Sequence, residues 1–420
     1  MKYVSGAVCL ICGTTFEKDA FEYVCPDHGN EGILDIQYDY GAVKKRFTRE
    51  SLLKNGNNTI WRYKPLLPVH EDSLVPPLTV GMTPLYRRDS LASGLGIGRL
   101  YIKDDGRLPT ASFKDRASAV AVVKAYEKKA GVITTASTGN AAAALSGLCA
   151  SVGQQNVIFV PESAPRAKIA QLLMFGSRVI LVKGTYDDAF ELCLEAARTR
   201  GWYNRNTGYN PFMSEGKKTC ALEICEQLTW EAPDAIFVSV GDGCIIGGIH
   251  KGLKDLHALG WIEKMPRLYG IQAEGSSYMY QAWKNREEIV AKPAVPAKTV
   301  ADSISAGLPR DRIKALAAVT ETNGAFITVT DDQIIRAIPD LAAKTGVFAE
   351  PAGAAAWAGL LKAADNGITG PGDTVVVINT GSGVKDIDSA MKAVEMTGTK
   401  YVSVAPSLDE FNQIASTLNI

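Results

Sequence analysis

"VITTASTGNAAAALSGLCASVGQQNVIFV", residues 132–160, carries the pattern that decides the fold. VITT (132–135) is a short β-branched run, and small polar residues follow it at a turn. NAAAALSGLCASVG (140–153) is long and alanine-rich enough for a helix, and VIFV (157–160) is a second apolar run. Strands that are apolar at every position must be covered on both faces, which is the condition of a helix-flanked, mostly parallel sheet. The same alternation continues outward from about Leu78. Strand-like runs are RLYIK (99–103), RVILV (178–182), AIFVSV (235–240), LYGIQ (268–272), FITV (326–329) and TVVVI (374–378). Between them lie DRASAVAVVKAYEKKA (115–130), DDAFELCLEAARTRG (187–201) and DDQIIRAIPDLAAKTG (331–346), all helix-like. The fold class is α/β, with binding sites expected beyond the carboxyl ends of the strands. Residues 286–303 read as the most loop-like interior stretch.

A chain of 420 residues is long enough for two or three compact units. Lys plus Arg and Asp plus Glu are both 45, so the formal net charge is zero, which argues against nucleic acid or a membrane surface as partner. No uncharged apolar run reaches about eighteen residues and no secretory leader is apparent, so neither a membrane span nor export is expected. Cys149, Cys193, Cys220, Cys225 and Cys244 are scattered, as free thiols are in a cytoplasmic protein. With only four histidines, three of them (His70, His250 and His257) without an obvious partner, a histidine-based triad is a poor fit.

The first forty residues differ from the rest. Cys9 and Cys12 form a CxxC, and Cys25 and His28 form a CxxH. Two knuckles that each offer a pair of soft ligands suit tetrahedral zinc, in a closed and therefore structural site. The alternative is a vestigial ribbon that folds without metal.

Three further segments each follow a strand and open a helix. In PTASFKDRAS (109–118), Ser112 and Asp115 have the spacing of a helix cap, which would put Lys114 in the first turn. The positive end of the helix dipole would lower the lysine's pKa there, making the amine a candidate nucleophile. In TASTGNAAAA (135–144), the turn residues Ser137, Thr138 and Gly139 suit a carboxylate, and Asn140 can reach a hydroxyl. In VSVGDGCIIGG (238–248), glycines before a helix start suit a phosphate. GDGCIIG has one residue too many for a dinucleotide fingerprint, and no Gly-Lys-Ser/Thr follows to make a Walker loop. Each segment alone is as well explained by an ordinary turn.

Taken in order, SFKDR, STGN, VGDG and TGSG (380–383) resemble the fold-type II pyridoxal-phosphate enzymes. Within these the chain most resembles the threonine synthases, through GMTPL (81–85), KDDGRLPTASFKDR (103–116), APRAKIAQ (164–171), GTYDDA (184–189), NPFMSEGKKT (210–219), EPAGAA (350–355) and TGSGVKD (380–386). The resemblance implies two open, mostly parallel sheets covered by helices, as in the β subunit of tryptophan synthase. A ribbon (1–38) would precede a large cofactor domain (39–119 and 206–420), with a small α/β domain (120–205) inserted. It implies pyridoxal 5'-phosphate as cofactor, and a degenerate zinc ribbon at the N-terminus also occurs in relatives. Lys114 would bind the cofactor covalently and shuttle protons, and Asn140 would bond the ring oxygen. Gly241, Asp242, Gly243, Cys244 and Ile245 would cradle the phosphate, and Thr380 would face the ring nitrogen. Ser137 and Thr138 would meet the substrate carboxylate. The implied reaction converts O-phospho-L-homoserine and water to threonine and phosphate, in a homodimer. An alternative with the same cofactor is a serine/threonine ammonia-lyase or a phosphoserine-using synthase of the cysteate synthase kind. Met213 favours it, because an arginine that holds the substrate's phosphate is expected at that position; Lys217, Lys218, Lys168 and Arg166 are the candidates to replace it.

Overall fold

Each of the eight apolar runs forms a strand in the computed structural model, which describes residues 1–137, 139–162, 164, 166–398 and 401–418. The strands are β1 (Val4–Cys9), β2 (Thr15–Glu17), β3 (Leu34–Tyr38), β4 (Leu85–Arg87), β5 (Arg99–Asp104), β6 (Val132–Ala136) and β7 (Gln155–Pro161). They continue as β8 (Arg178–Val182), β9 (Tyr203–Asn204), β10 (Ala235–Ser239), β11 (Arg267–Ala273), β12 (Ala325–Val329) and β13 (Thr374–Asn379). The larger sheet has six strands in the order β12-β11-β10-β13-β5-β4, parallel except where β4 closes the edge antiparallel to β5. A second, parallel sheet of four has the order β8-β7-β6-β9. The three N-terminal strands form an antiparallel sheet of their own, β2-β1-β3.

Continuous apolar runs suit the larger sheet because alternate side chains enter different cores. Ile236, Val238, Val376 and Ile378 pack into one, and Phe237, Tyr269, Val375 and Val377 into the other. Each fully buried aliphatic side chain of this kind contributes about 1.5–3 kcal/mol. A third core joins the N-terminal sheet (Val4, Ala7, Leu34, Ile36) to the helices Lys114–Glu127 and Asn140–Ser151.

Two docking contacts bring the functional segments together. A Cβ on Gly216 would lie 2.3 Å from the Arg116 carbonyl oxygen, so only glycine lets the helix Phe212–Lys217 pack flush on the helix that begins at Lys114. From the N-terminal sheet, the Tyr38 hydroxyl donates to Glu215 Oε2 at 2.6 Å and the Leu34 carbonyl accepts from Lys314 Nζ at 3.1 Å. Residues 286–301 form neither helix nor strand, as their composition suggests. Among the described residues no helix is long and apolar enough to cross a membrane.

Candidate active site

A cleft of about 500 Å³ lies at the carboxyl ends of β6 and β10, where open α/β sheets place their ligands. Lys114, Ser137, Asn140 and all of Gly241–Ile245 line it. These residues span 132 positions of sequence and come together because each follows a strand end or opens a helix. Thr138, expected beside Ser137, lies outside the described residues.

Lys114 is the first residue of the helix Lys114–Glu127, and its amine has no hydrogen bond or ion pair among the described residues. Burial lowers its pKa below the ordinary lysine range and the Arg205 charge adds to this, while Cys244, Asp242 and Glu350 pull it back up. The expected cap is not formed. Phe113 occupies the cap position, and the Ser112 hydroxyl is buried without a partner. Asp115, fully buried, turns back to accept from the Thr110 N–H at 2.7 Å and from the Thr110 hydroxyl. Burial needs those bonds more than the helix end does, which overrides the local spacing rule.

Asn140 opens the helix Asn140–Ser151, and its Nδ2 donates to Glu350 Oε1 at 2.6 Å and to Ser303 Oγ at 3.3 Å. Ser137 Oγ accepts from the Gly139 N–H at 3.2 Å. In the glycine loop, Gly243 takes φ +86°, and a Cβ there would lie 2.7 Å from that of Ala315. The loop ends at Cys244, the first residue of a 15-residue helix whose leading N–H groups are open to an anion. Asp242 places a carboxylate beside them, its pKa raised by burial against the pull of Arg310, Lys114 and Lys217. Thr380 follows β13 directly, and its carbonyl accepts from the Phe113 N–H at 2.9 Å, next to Lys114. Its hydroxyl makes no hydrogen bond among the described residues, and Thr380 does not line the 500 Å³ cleft.

The sequence reading did not single out Glu350, Arg205 or Thr207. Glu350, at the foot of the TGSG turn, is pushed up to a pKa of about 7, chiefly by burial and then against the Lys385 charge. Arg205 and Thr207 line the cleft, and Lys217 stands behind them, hydrogen-bonded to the Thr207 hydroxyl at 3.4 Å. Glu350 could have been found from EPAGAA; a lone arginine in NRNTGYN carries no signal of its own. Met213 is elsewhere, 1% exposed and in an apolar core.

Away from the cleft, Cys9, Cys12, Cys25 and His28 converge, with their ligand atoms all within 4.8 Å of one another. Cys12 Sγ is 4.0 Å from Cys25 Sγ, and Cys9 Sγ is 3.9 Å from His28 Nδ1. Tetrahedral zinc with bonds near 2.3 Å requires sulfurs about 3.8 Å apart, which this cluster approaches.

A lysine with a free amine, an asparagine turn and a glycine loop at a helix start together form an arrangement whose chemistry suits a phosphate-bearing aldehyde. The description "Pyridoxal-phosphate dependent enzyme" belongs to the family model that matches residues 77–381, and the chain belongs to that family. Threonine synthase of Methanocaldococcus jannaschii is 40% identical over 391 residues, 92% of this chain and 94% of its own. That of Methanosarcina acetivorans is 38% identical over 390 residues, again 92% and 94%. Among solved structures, processed threonine deaminase isoform 2 of Solanum lycopersicum shares the fold, with TM-score 0.65 and 23% identity over 76% of this chain and 88% of that one.

Proposed function

We propose that the chain is a threonine synthase that converts O-phospho-L-homoserine and water to L-threonine and phosphate. The observation that carries this reading is the unpartnered Lys114 amine, facing both the Asn140 turn and the 241–245 loop in a chain similar to threonine synthases along nearly its whole length.

The residues present fit the cofactor. Gly243 in its left-handed conformation brings the backbone amides of the loop up to an anion, and the Lys114 amine has no competing partner. When bound, pyridoxal phosphate supplies an electron sink for charge developing on the substrate's carbons. Lys114, whose lowered pKa favours the neutral amine, would hold the cofactor and accept or give a proton at its Nζ. Gly241–Ile245 bind the phosphate. Asn140 has two amide hydrogens, and the one in the 3.3 Å contact with Ser303 is the one free to turn to a ring oxygen while Glu350 keeps the other. The Thr380 hydroxyl is assigned to the ring nitrogen. A hydroxyl there does not enforce protonation, which favours elimination and replacement over transamination. Ser137, with the Thr138 position beside it, is assigned to the substrate carboxylate.

The segment 120–205 contains the four-stranded sheet and is assigned as a small domain that closes over substrate against the large domain of 39–119 and 206–420. Residues 1–38 are assigned as a structural zinc ribbon. A homodimer in the cytoplasm completes the reading, and sedimentation of the purified chain tests the dimer. The second reading is an ammonia-lyase or a phosphoserine-using synthase, favoured by Met213 in place of the expected arginine. Phosphate release from O-phospho-L-homoserine, set against 2-oxoacid release from serine or threonine, separates the two. Release of 2-oxoacid alone would overturn the first.

A further inference from the structure

Three cations stand at or just behind the cleft wall without a carboxylate partner among the described residues: Lys114, Arg205 and Lys217. Three neighbouring cations are paired. Arg310 meets Asp187 at 2.9 Å, Lys168 meets Asp302, and Lys218 lies between Glu215 at 2.5 Å and Asp255 at 2.6 Å. Arg205 is 1% exposed. Its Nε donates to Ser118 Oγ at 3.2 Å and its Nη1 to Thr207 Oγ1 at 2.9 Å, but its buried Nη2 has no acceptor. Lys217 is fully buried, and its Nζ also donates to Thr207 Oγ1.

The Thr207 oxygen therefore accepts from both cations, and its own O–H proton has no acceptor among the described residues. A hydroxyl with both lone pairs engaged must donate elsewhere, and Thr207 faces the cleft. The Arg205 Nη2, the Thr207 hydroxyl and the Lys217 ammonium thus present donors and positive charge with no carboxylate in ion-pair contact among the described residues, although Asp311 acts on Lys217 from farther away. Burial lowers the Arg205 pKa to about 10 and that of Lys217 to about 8, with the mutual repulsion of the cations adding to the effect on Lys217, so a bound anion would relieve both.

We infer that Arg205, Thr207 and Lys217 form the subsite for the phosphate of an amino-acid substrate, in place of an arginine at position 213. The inference rests on the proposed function for the identity of that substrate. The cofactor's phosphate has its own receptor in the loop after β10, on the six-stranded sheet. Arg205 is rooted on the other sheet, where it follows β9 and its N–H donates to the Thr134 carbonyl at 2.8 Å. Two receptors on two sheets suit two phosphates.

The test uses holoenzyme and inorganic phosphate, the reaction's product, followed by titration calorimetry. Arg205→Met removes the unpaired donor, and Thr207→Val removes the hydroxyl while keeping its shape. Charge-assisted hydrogen bonds of this kind are worth roughly 10- to 100-fold. Phosphate affinity should fall by that factor in Arg205→Met and about tenfold in Thr207→Val, with KM for O-phospho-L-homoserine rising in parallel. Reconstitution of apoprotein with cofactor, followed by visible absorbance, should keep its midpoint within threefold of wild type. Unchanged phosphate affinity in both variants would overturn the inference. So would a cofactor midpoint that moves as far as the phosphate affinity, because the subsite would then belong to the cofactor. Should Arg205→Met fail to fold, Thr207→Val and Lys217→Gln carry the same readings. Wild-type holoenzyme that binds phosphate through these residues yet releases none from O-phospho-L-homoserine would sink the proposed function and leave the subsite standing.

Discussion

Glu223→Gln should cost the protein about 3–5 kcal/mol of stability at pH 7, with a pH dependence that identifies the cause. Four fully buried charges support the helix that carries Lys114. Arg116 Nη1 and Nη2 donate to the two Glu223 oxygens at 2.6 and 2.8 Å, and its Nε and Nη2 to Asp105 at 2.6 and 2.9 Å. Lys103 Nζ sits 2.8 Å from Glu223 Oε2. Burial alone would raise the Glu223 pKa, but Arg116 and Lys103 outweigh it and hold the carboxyl at about 2, against 4.5 for a free glutamate. At 1.36 kcal/mol per unit, that depression corresponds to ~3 kcal/mol in favour of the folded state at neutral pH. Neutralising Glu223 would also leave Arg116 with Asp105 alone and Lys103 with no carboxylate in contact. The carboxylate's contribution is complete above pH 4.5 and is lost as the pH falls toward 2. The gap between wild type and Glu223→Gln should therefore shrink to roughly half by pH 3. Urea unfolding followed by far-UV circular dichroism at pH 7 and pH 3 measures both quantities. A loss under about 1 kcal/mol at pH 7 would refute the reasoning, as would a loss of the same size at both pH values.

Glu350 should show the opposite sign in cofactor-free protein. Its pKa of about 7 lies above the free value of 4.5, so its effect on stability becomes unfavourable as the pH rises from 4.5 to 7. Glu350→Gln should then exceed wild type by up to ~3 kcal/mol at pH 8 and match it near pH 4 in a series of unfolding curves. A difference that does not vary with pH would contradict this. Protein prepared without chelator should contain one zinc per chain. Cys25→Ser should lose that metal and melt several degrees lower, because the third core joins the ribbon to the helix of Lys114. Wild type with well below stoichiometric zinc would argue for a vestigial ribbon.

The six- and four-stranded sheets were legible because most of their strands are near-continuous apolar runs separated by long helical stretches, whereas the N-terminal sheet was not read. β4 and β9, of three and two residues, are too short for periodicity to reveal, and tertiary pairing alone defines them. The loop Gly241–Ile245 and the turn at Asn140 were visible as glycine or small residues between a strand and a helix. The Ser112–Asp115 cap was misread because spacing is a local signal, whereas the buried Asp115 answers to Thr110. Arg205 left no mark, and Lys217 was one of four candidate cations with nothing to choose between them, since a charged residue is notable only once its surroundings are seen to lack a counter-charge. Arg116 and Glu223 lie 107 positions apart, and a single sequence gives no means of joining them.

The central claim is that the Lys114 amine holds the cofactor, and visible absorbance of purified protein tests it most directly. Wild type reconstituted with pyridoxal phosphate should be yellow, with an absorption band that denaturation without reductant abolishes. Lys114→Ala should fold and still take up cofactor through the 241–245 loop, but lack that band. A colourless reconstituted wild type, or a Lys114→Ala variant with the wild-type spectrum, would contradict the account.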